Sequence, residues 1–510
     1  MSTARRIPDG HPIIVGTGQH TWREPSAERT PLDALQAAAA TALADCGVAD
    51  MHAAIDTIAT IRFIADTNPG TRDLFPRDPG AELARRLGIR NAARYLSTIG
   101  GNTPQYLVNH FARRLAAGEV GAVLLSGAEL IRSLFGALRS GEDISGWAGA
   151  RAEEPPTLGR EREGLSETEM RHGLYEPINT YPLFENSLQR HLGRNRAEHH
   201  ALLAELCAGM SRVAASNPLA WRTDALSAQE IGTVARHNRY IGYPYTRAMN
   251  AVLEVDMSAA LVMTTAGRAR ELGIDPQRWI YLRGGADAND IWYPIERATL
   301  HSSPAIALCW QSLAQHSGIG LDDISHFDLY SCFPSAVEVA CEAIGLAPLD
   351  PRGVTVTGGL PFFGGPGNNY SLHAIAQTVD VLREAGNGHA LVTANGFYLT
   401  KHSLGLYSTE PAGDLRAPID GGALQARIDQ GPRVVPAADP AGPATVETYT
   451  VAFDRNGPKQ GIVFARNAAG ERLVANTPDD PQSLQHLLAE DPVGHAGHVH
   501  CDEGRNIFTL

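Results

Sequence analysis

The run STIGGNT at residues 97–103 decides the fold prediction, because it joins a glycine-rich turn to a helical pattern at about 104–117. Gly118 ends that helix, and the apolar run GAVLLSG at residues 121–127 has the composition of a buried strand. Turn, helix, glycine and strand therefore follow one another in the order of an α/β unit, whose helices cover a sheet.

The same order returns in the second half of the chain. TVTGG at residues 355–359 and a further glycine-rich loop precede a helical pattern at 371–385, and the strand HALVTA follows at 389–394. An opening strand near residues 12–18 also has a counterpart, at 279–285. We infer a duplicated α/β unit, since self-similarity of this kind indicates repeated architecture.

Composition shifts suggest where the chain divides. The predicted domains are an N-terminal half at 1–130 and 246–270, an insertion at 131–245, a C-terminal half at 271–412, and an additional domain at 413–510. The insertion is charged and loop-rich, with one helical run near 197–215. The last domain opens with a linker-like segment rich in Pro, Gly, Ala and Asp. Its strand signals predict a small antiparallel β-domain of the oligonucleotide/oligosaccharide-binding (OB) type.

Charge and cysteine content narrow the class of protein. The 510 residues carry a formal net charge of −13, which argues against a nucleic-acid partner. Six cysteines without a CxxC pair indicate reduced thiols. No apolar stretch is long enough for a membrane span, and the polar start lacks the features of a secretory signal. We therefore expect a cytoplasmic protein.

Local motifs in both halves resemble those of the thiolases over roughly residues 10–412. The motifs are AAGE at 116–119, LLSGAE at 124–129, LYSCF at 329–333, EAIGL at 342–346, GGL at 358–360 and GGPG at 364–367. The pattern is most similar to sterol-carrier-protein-type thiolases and thiolase-like proteins type 1, which carry an extra C-terminal domain. The resemblance implies a five-layered αβαβα thiolase fold with two βαβαβαββ halves, and an acetyl-CoA acetyltransferase-like activity in lipid metabolism.

The catalytic groups of that family are missing here. Thiolases use a nucleophilic cysteine at a helix start, a GHP histidine, a CxG cysteine, and an asparagine or histidine that helps bind the oxyanion. These positions fall on Gly101, Gly365, Ala394 and Tyr330. No cysteine lies between residues 46 and 207, so no shift of alignment restores an acyl-cysteine. A degenerate active site is predicted.

Other side chains are candidates for catalysis. Tyr330 and Tyr370 resemble a tyrosine pair of superfamily members that split acyl-CoA aldols, and a phenol can relay a proton. The alternative is that both are structural, since tyrosine commonly fills such positions with only its hydroxyl bonded. His373 could swing toward the Gly365 position or simply lie on a helix face. His402 and Lys401 could place cationic groups near a thioester or phosphate.

The expected ligand is coenzyme A or an acyl-CoA, with no covalently bound cofactor and no metal. Arg239 and Arg247 lie among tyrosines in the insertion and could hold the adenine and the 3′-phosphate with Lys401, or form a solvated basic face. Three functions remain open: a thiolase-like acyl-CoA-binding protein labelled an acyltransferase by resemblance, an acyl-CoA retro-aldolase, and a non-catalytic CoA-thioester-binding protein. The oligomeric state is expected to be a monomer or a homodimer.

Overall fold

The computed structural model describes residues 7–150, 152–414 and 416–510. The first six residues, which entered the localisation prediction, lie outside the described residues. Among the helices that are described, none combines the length and the apolar character that crossing a membrane requires.

The first half alternates strands and helices as predicted. Its elements are β1 (Pro12–Thr21), α1 (Pro31–Asp45), α2 (Met51–Ala54), β2 (Thr57–Thr60), α3 (Pro79–Leu87), β3 (Ala93–Ser97), α4 (Thr103–Ala116), β4 (Ala122–Leu130) and α5 (Ile131–Ser140). Thr30 and Asp33 form a reciprocal capping box at the start of α1. Every residue of β4 is buried, as expected of a strand covered on both faces.

The insertion contains more helix than its loop-rich sequence indicated. Its elements are β5 (Thr157–Leu158), α6 (Glu167–Arg171), α7 (Pro177–His191), α8 (Arg196–Ser216), α9 (Ala228–Gly232), β6 (Tyr240–Gly242) and β7 (Tyr245–Thr246). The predicted helical run corresponds to α8. Helix α7 was missed because Pro182 and several buried polar residues interrupt its apolar pattern.

The second half repeats the order of the first. Strand β8 (Asp256–Thr265), which pairs with β1 and β4, and helix α10 (Ala266–Glu271) complete the first half. The elements that follow are β9 (Ile280–Asn289), α11 (Pro304–Ser317), β10 (His326–Asp328), α12 (Pro334–Ile344), α13 (Tyr370–Ala385), β11 (His389–Gly396), β12 (Lys401–Ser408) and α14 (Gly421–Asp429). Gly386 ends α13 with φ 70°, a left-handed conformation that favours glycine. Helix α14 lies inside the segment expected to be a linker, and Asp420 caps it.

The strands of both halves join in the order β10-β11-β12-β9-β1-β8-β4-β2-β3-β5. The halves meet at β1 and β9, which pair only through Ile13 with Tyr281 and Ile14 with Ile280. Helices α4 and α13 both contact strands of the two halves, whereas α1 packs outside the first half and α11 outside the second. The result is the five-layered αβαβα arrangement that was expected.

The C-terminal domain is a closed barrel. Its elements are β13 (Gly442–Asp454), β14 (Gly457–Asn467), β15 (Arg472–Asn476), α15 (Pro481–Ala489), β16 (Ala496–Asp502) and β17 (Arg505–Thr509). Strand β13 pairs with both β14 and β16, which closes the order β13-β14-β15-β17-β16. The β-domain prediction is confirmed, but β15 and β17 run parallel at their one described pairing, Asn476 with Ile507.

The barrel packs firmly on the rest of the chain. Arg472 is fully buried at this interface. Its guanidinium forms a two-pronged contact with Glu447 and donates to the carbonyl oxygens of Pro294, Ile295 and Arg297. The domain is therefore anchored to the body through buried charge-assisted hydrogen bonds.

Candidate functional site

Three glycine-containing turns meet at the amino end of α4. The N–H of Gly100 donates to Asn368 Oδ1 at 2.9 Å, and Ser371 Oγ donates to the carbonyl of Gly101 at 2.5 Å. A methyl group built on Gly396 would lie 3.2 Å from the Gly100 Cα. The duplicated halves thus bring together the loops on which the resemblance places the catalytic groups.

Tyr330 fills the space of a side chain at position 101. A methyl group built on Gly101 would overlap the Tyr330 hydroxyl and lie 2.7 Å from the carbonyl oxygen of Asn395. Among the described residues the Tyr330 Oη has no hydrogen-bond partner. Burial raises the pKa of Tyr330 well above its usual range, so the phenol is neutral at physiological pH. It can donate a hydrogen bond there but does not act as a base.

Tyr370 lies against Tyr330 but its hydroxyl is engaged elsewhere. The two rings meet edge to face with centroids 5.5 Å apart. The Tyr370 hydroxyl lies 2.7 Å from Thr357 Oγ1 and donates to Asp328 Oδ1 at 3.0 Å. The side chain is fully buried. In this structure Tyr370 supports the fold around Asp328, and its hydroxyl does not face the Gly101 turn.

The other two vacated positions are also enclosed. A methyl group on Gly365 would meet Ala251 Cβ at 3.3 Å and Leu360 at 3.4 Å, so the space for a histidine is filled by the apolar wall. Ala394 is buried in β11, where it pairs with Ser403.

The nearest thiol to the Gly101 turn is that of Cys332. Its Sγ lies 3.9 Å from Asn395 Nδ2, and burial raises the pKa of the thiol to about 12. A thiol with so high a pKa is protonated near neutral pH and is a poor nucleophile.

Tyr181 of α7 completes the site and was not found from the sequence. Its hydroxyl donates to the carbonyl of Phe397 at 2.8 Å and accepts from Asn395 Nδ2 at 2.8 Å. Its ring stacks on Phe333 with centroids 4.4 Å apart. The insertion therefore covers the Asn395 turn with a buried tyrosine. No local motif around Tyr181 marks it, since only the packing of α7 on the body brings it here.

Lys401 and His402 lie together in the wall of a cavity of about 630 Å³. The cavity is also lined by Thr98, Asn102 and Thr103 of the Gly101 turn. His402 is buried, with Nε2 3.1 Å from Asp290 Oδ2. Lys401 Nζ donates to the carbonyl of Ile99 at 2.5 Å. These two predicted residues therefore border the Gly101 turn, His402 already paired with a carboxylate.

His373 has Gln19 as its hydrogen-bond partner, rather than a group at the Gly365 position. Its Nδ1 lies 2.9 Å from Gln19 Oε1, and its ring packs on Phe363 with centroids 5.4 Å apart. Burial lowers the pKa of His373 to about 3, which keeps the imidazole neutral. Its Nε2 is buried without a partner among the described residues.

Of the predicted coenzyme A residues, Arg239 and Arg247 are neighbours, since the Arg247 N–H donates to the Arg239 carbonyl at 2.9 Å, whereas Lys401 lies apart in the cavity wall. Arg239 donates to the carbonyl of Tyr240 at 3.0 Å and is half-buried. Tyr243 and Tyr245 are buried, and the Tyr245 hydroxyl bonds to Glu185. The rings of Tyr243 and Tyr245, which the sequence placed beside these arginines, are therefore not free to stack on an adenine.

Arg247 also lies near Arg222; we call Arg222, Arg247 and Arg132, which packs on the ring of the neighbouring Trp221, the arginine cluster. The guanidinium of Arg132 lies 5.4 Å from the Trp221 ring centroid. Burial, and then repulsion from Arg247, lowers the pKa of Arg222. No ion pair joins any of the three to a described carboxylate. The backbone N–H groups of Trp221 and Arg222 donate to the carbonyls of residues 363 and 362, next to the Gly364–Gly365 turn.

One group of possible metal ligands converges within the described residues. Glu185, His199 and Glu338 place ligand atoms within 4.8 Å of one another. Arg194 donates to Glu338 at 2.7 Å and lies 3.3 Å from His199 Nδ1, so a cation already serves this network. His495, His498, His500 and Cys501 form no such group among the residues described.

Comparisons with known proteins agree with the architecture. A family model described as the thiolase-like protein type 1 additional C-terminal domain matches residues 423–504. A monomeric SCP2-thiolase-like protein type 1 from Mycobacterium smegmatis is 37% identical in sequence, with a TM-score of 0.83. That similarity covers 99% of this chain and 100% of the other.

More distant structures share the fold alone. An Ltp2-ChsH2(DUF35) aldolase is 20% identical with a TM-score of 0.59 over 79% of this chain and 99% of its own. The acetyl-CoA acetyltransferase of Syntrophomonas wolfei is 14% identical with a TM-score of 0.55, over 79% of this chain and 100% of its own.

Among curated protein sequences, the 3-ketoacyl-CoA thiolase of Salmonella heidelberg (strain SL476) is 31% identical over 162 residues, which are 29% of this chain. The chain thus spans about a third, 35%, of that relative's length.

Proposed function

Because this chain belongs to the SCP2-thiolase-like proteins type 1 of the thiolase superfamily, we propose that it binds an acyl-CoA thioester and forms no acyl-cysteine. The observation that carries the proposal is the overlap between the Tyr330 hydroxyl and a side chain at position 101. Where a thiolase places its nucleophile, this protein offers a neutral phenol. A bound thioester would meet a hydrogen-bond donor there and no attacking thiolate.

The arginine cluster supports the coenzyme A part of the proposal. Coenzyme A carries a diphosphate and a 3′-phosphate, and guanidinium groups recognise phosphates with paired hydrogen bonds. Arg222 and Arg247 repel each other and have no described carboxylate partner, an arrangement that an anionic ligand would stabilise. Trp221 adds an indole face on which an adenine could stack.

The first experiment is calorimetric titration with coenzyme A, acetyl-CoA and a longer acyl-CoA. We expect micromolar binding that Arg247→Ala weakens about tenfold, since a hydrogen bond to a charged group contributes about 1.5–3 kcal/mol. Arg90→Ala is the matched control, because Arg90 is exposed before the start of β3, whereas Arg132 of the cluster follows the end of β4, which runs in the same direction. Absence of heat with all three ligands, or equal weakening by both variants, would contradict the proposal. Acetoacetyl-CoA thiolysis should be absent.

A second candidate is retro-aldol cleavage of a β-hydroxyacyl-CoA, favoured by the unpaired, protonated Tyr330 hydroxyl. In that reaction the bond between the α- and β-carbons breaks as the β-hydroxyl loses its proton and becomes a carbonyl. The phenol protonates the α-carbon of the released enolate, and the proton lost by the hydroxyl restores the phenol, so that Tyr330 relays one proton between the two carbons. Turnover that disappears in Tyr330→Phe, with binding retained, would select this candidate. Binding without turnover of any thioester would select a non-catalytic binding protein.

A further inference from the structure

Lysine is almost absent from this chain. The 510 residues contain 41 arginines but only two lysines, Lys401 and Lys459. Lys459 is exposed on the barrel, whereas Lys401 is 3% exposed. Arginine serves elsewhere as the cation of ion pairs, including the buried ones at Arg62 and Arg472. A lysine in the interior of so arginine-rich a chain therefore calls for a property that arginine lacks.

Burial outweighs the contacts that stabilise a charge on Lys401, which are a backbone carbonyl, an aromatic ring and the attraction of Glu161. Nζ donates to the carbonyl of Ile99 and lies 4.9 Å from the Phe397 ring centroid. No ion pair joins it to any carboxylate among the described residues. Burial lowers the pKa of Lys401 to about 8, so a substantial fraction of the side chain is the free amine near neutral pH. A guanidinium would stay protonated here.

The amine of Lys401 borders a polar cavity. Lys401 lines the cavity of about 630 Å³ together with Thr98 and Asn102. Thr98 Oγ1 and Asn102 Oδ1 are buried there, with no partner among the residues described. A methyl group on Gly100 would lie 2.6 Å from Asn102 Oδ1 and 3.2 Å from Lys401 Nζ, so both atoms border one small space. Gly100 has φ 137°, which suits only glycine and keeps that space open.

From this geometry we infer that the cavity is a carbonyl-binding site in which Lys401 forms an imine with a small polar aldehyde or ketone. The free amine attacks the carbonyl carbon, and the new carbon–nitrogen bond leaves a carbinolamine whose hydroxyl keeps the former carbonyl oxygen. Loss of water from the carbinolamine gives the imine. The unpaired Asn102 Oδ1 can accept a hydrogen bond from the carbinolamine hydroxyl or the iminium N–H. The inference does not depend on coenzyme A binding.

The scarcity of lysine makes the test direct. The full-length protein is incubated with hydroxyacetone, glycolaldehyde or acetaldehyde and sodium cyanoborohydride, and the labelled peptides are quantified by mass spectrometry. Lys401 should be labelled roughly tenfold faster than Lys459 near neutral pH, because burial enlarges the free-amine fraction of Lys401 more than it reduces the intrinsic nucleophilicity of that amine. Labelling of Lys401 should saturate with carbonyl concentration, whereas that of exposed Lys459 should rise linearly.

Three variants separate this site from incidental reactivity. Asn102→Ala should slow the labelling of Lys401 severalfold and leave Lys459 unchanged. Lys459→Arg should leave the labelling of Lys401 unchanged. Lys401→Arg keeps the charge and should abolish saturable labelling, and circular dichroism checks that this variant folds. If the Lys401→Arg protein still binds coenzyme A, the carbonyl site is distinct from the proposed thioester site. Labelling of Lys459 with slower or non-saturable labelling of Lys401 would overturn the inference.

Discussion

At the residue scale, the main feature of the site is that position 101 is a glycine and that the Tyr330 phenol fills the space where a side chain would lie. The Tyr330 hydroxyl comes from a strand end 229 positions along the chain, yet it occupies the volume next to Gly101. Cys332, the thiol nearest to that turn, has its pKa raised to about 12 by burial. Proton donation is therefore the chemistry that the site supports best, and thiolate attack is disfavoured.

A methyl group at Gly101 should destabilise the fold. Gly101→Ala would press on the Tyr330 hydroxyl and on the Asn395 carbonyl at 2.7 Å. We expect a loss of about 1–3 kcal/mol in the free energy of unfolding, measured by urea denaturation. Gly136→Ala is the control, because Gly136 lies in α5 with its nearest neighbour at 3.8 Å. That change should be neutral or stabilising; equal losses would refute the overlap.

The pH dependence of stability should include a contribution from Glu129. Burial raises the pKa of this carboxyl to about 8, so the folded chain holds the proton more tightly than the unfolded chain does. The free energy of unfolding should therefore fall as the pH rises above the ordinary pKa of glutamate, and level off above about 8. Between about pH 5.5 and about pH 7.5, Glu129→Gln should reduce this fall by roughly 2–3 kcal/mol in urea titrations. Identical slopes in the two proteins would contradict the assignment.

At the scale of elements, the insertion and the barrel decide how the site is enclosed. Helix α7 delivers Tyr181 to the Asn395 turn and also contacts β13 and β14 of the barrel. Strands β6 and β7 of the insertion extend the barrel sheet. The insertion therefore contacts both the C-terminal domain and the region around Gly101.

We expect Arg472 to stabilise the contact between the barrel and the rest of the chain. Arg472→Met would leave Glu447 and three carbonyl oxygens without their buried donor, and we expect a loss of about 3–5 kcal/mol in the free energy of unfolding. The control is Arg466→Met, which removes the other arginine partner of Glu447. The Arg466 side chain is 29% exposed, whereas that of Arg472 is 0% exposed. This control should cost less than about 1 kcal/mol. Chemical denaturation of both variants makes the comparison, and similar losses would speak against an anchoring role.

At the scale of the whole molecule, the outer edge of the large sheet is partly covered by the chain itself. The N–H groups of Leu96 and Thr98 donate to the carbonyls of Pro156 and Leu158, so β5 occupies the edge of β3. Covered edges resist pairing with a second chain. This edge adjoins the Gly101 turn, where thiolases usually form their dimer. The self-covered edge favours a monomer.

We accordingly predict that the protein sediments as a single chain at micromolar concentration, as measured by analytical ultracentrifugation. Replacing residues 153–160 with a flexible glycine–serine segment removes β5 and should produce concentration-dependent association through β3. A glycine–serine replacement of residues 455 and 456, the exposed turn between β13 and β14, serves as the control and should leave the protein monomeric. A stable dimer of the unaltered protein would contradict the role given to β5.

Much of the architecture could be predicted from local sequence patterns. The helices at 104–117 and 371–385 appear within one residue of those bounds, because glycines and strong apolar periodicity mark their ends. Helices α7 and α14 were missed, since proline, glycine and polar residues mask their short or interrupted apolar faces. Their burial comes from contacts with distant parts of the chain, which a local pattern does not record.

By itself, the sequence determined that no cysteine can serve at the start of α4, because none lies between residues 46 and 207. It also determined the duplicated fold, since repeated motifs are a property of the chain read in order. Only the tertiary structure decided that Tyr330 fills the Gly101 space, that Tyr370 turns to Asp328, and that Arg247 groups with other arginines. The physical reason is that these contacts join residues far apart in sequence, and their geometry depends on how the two halves and the insertion pack.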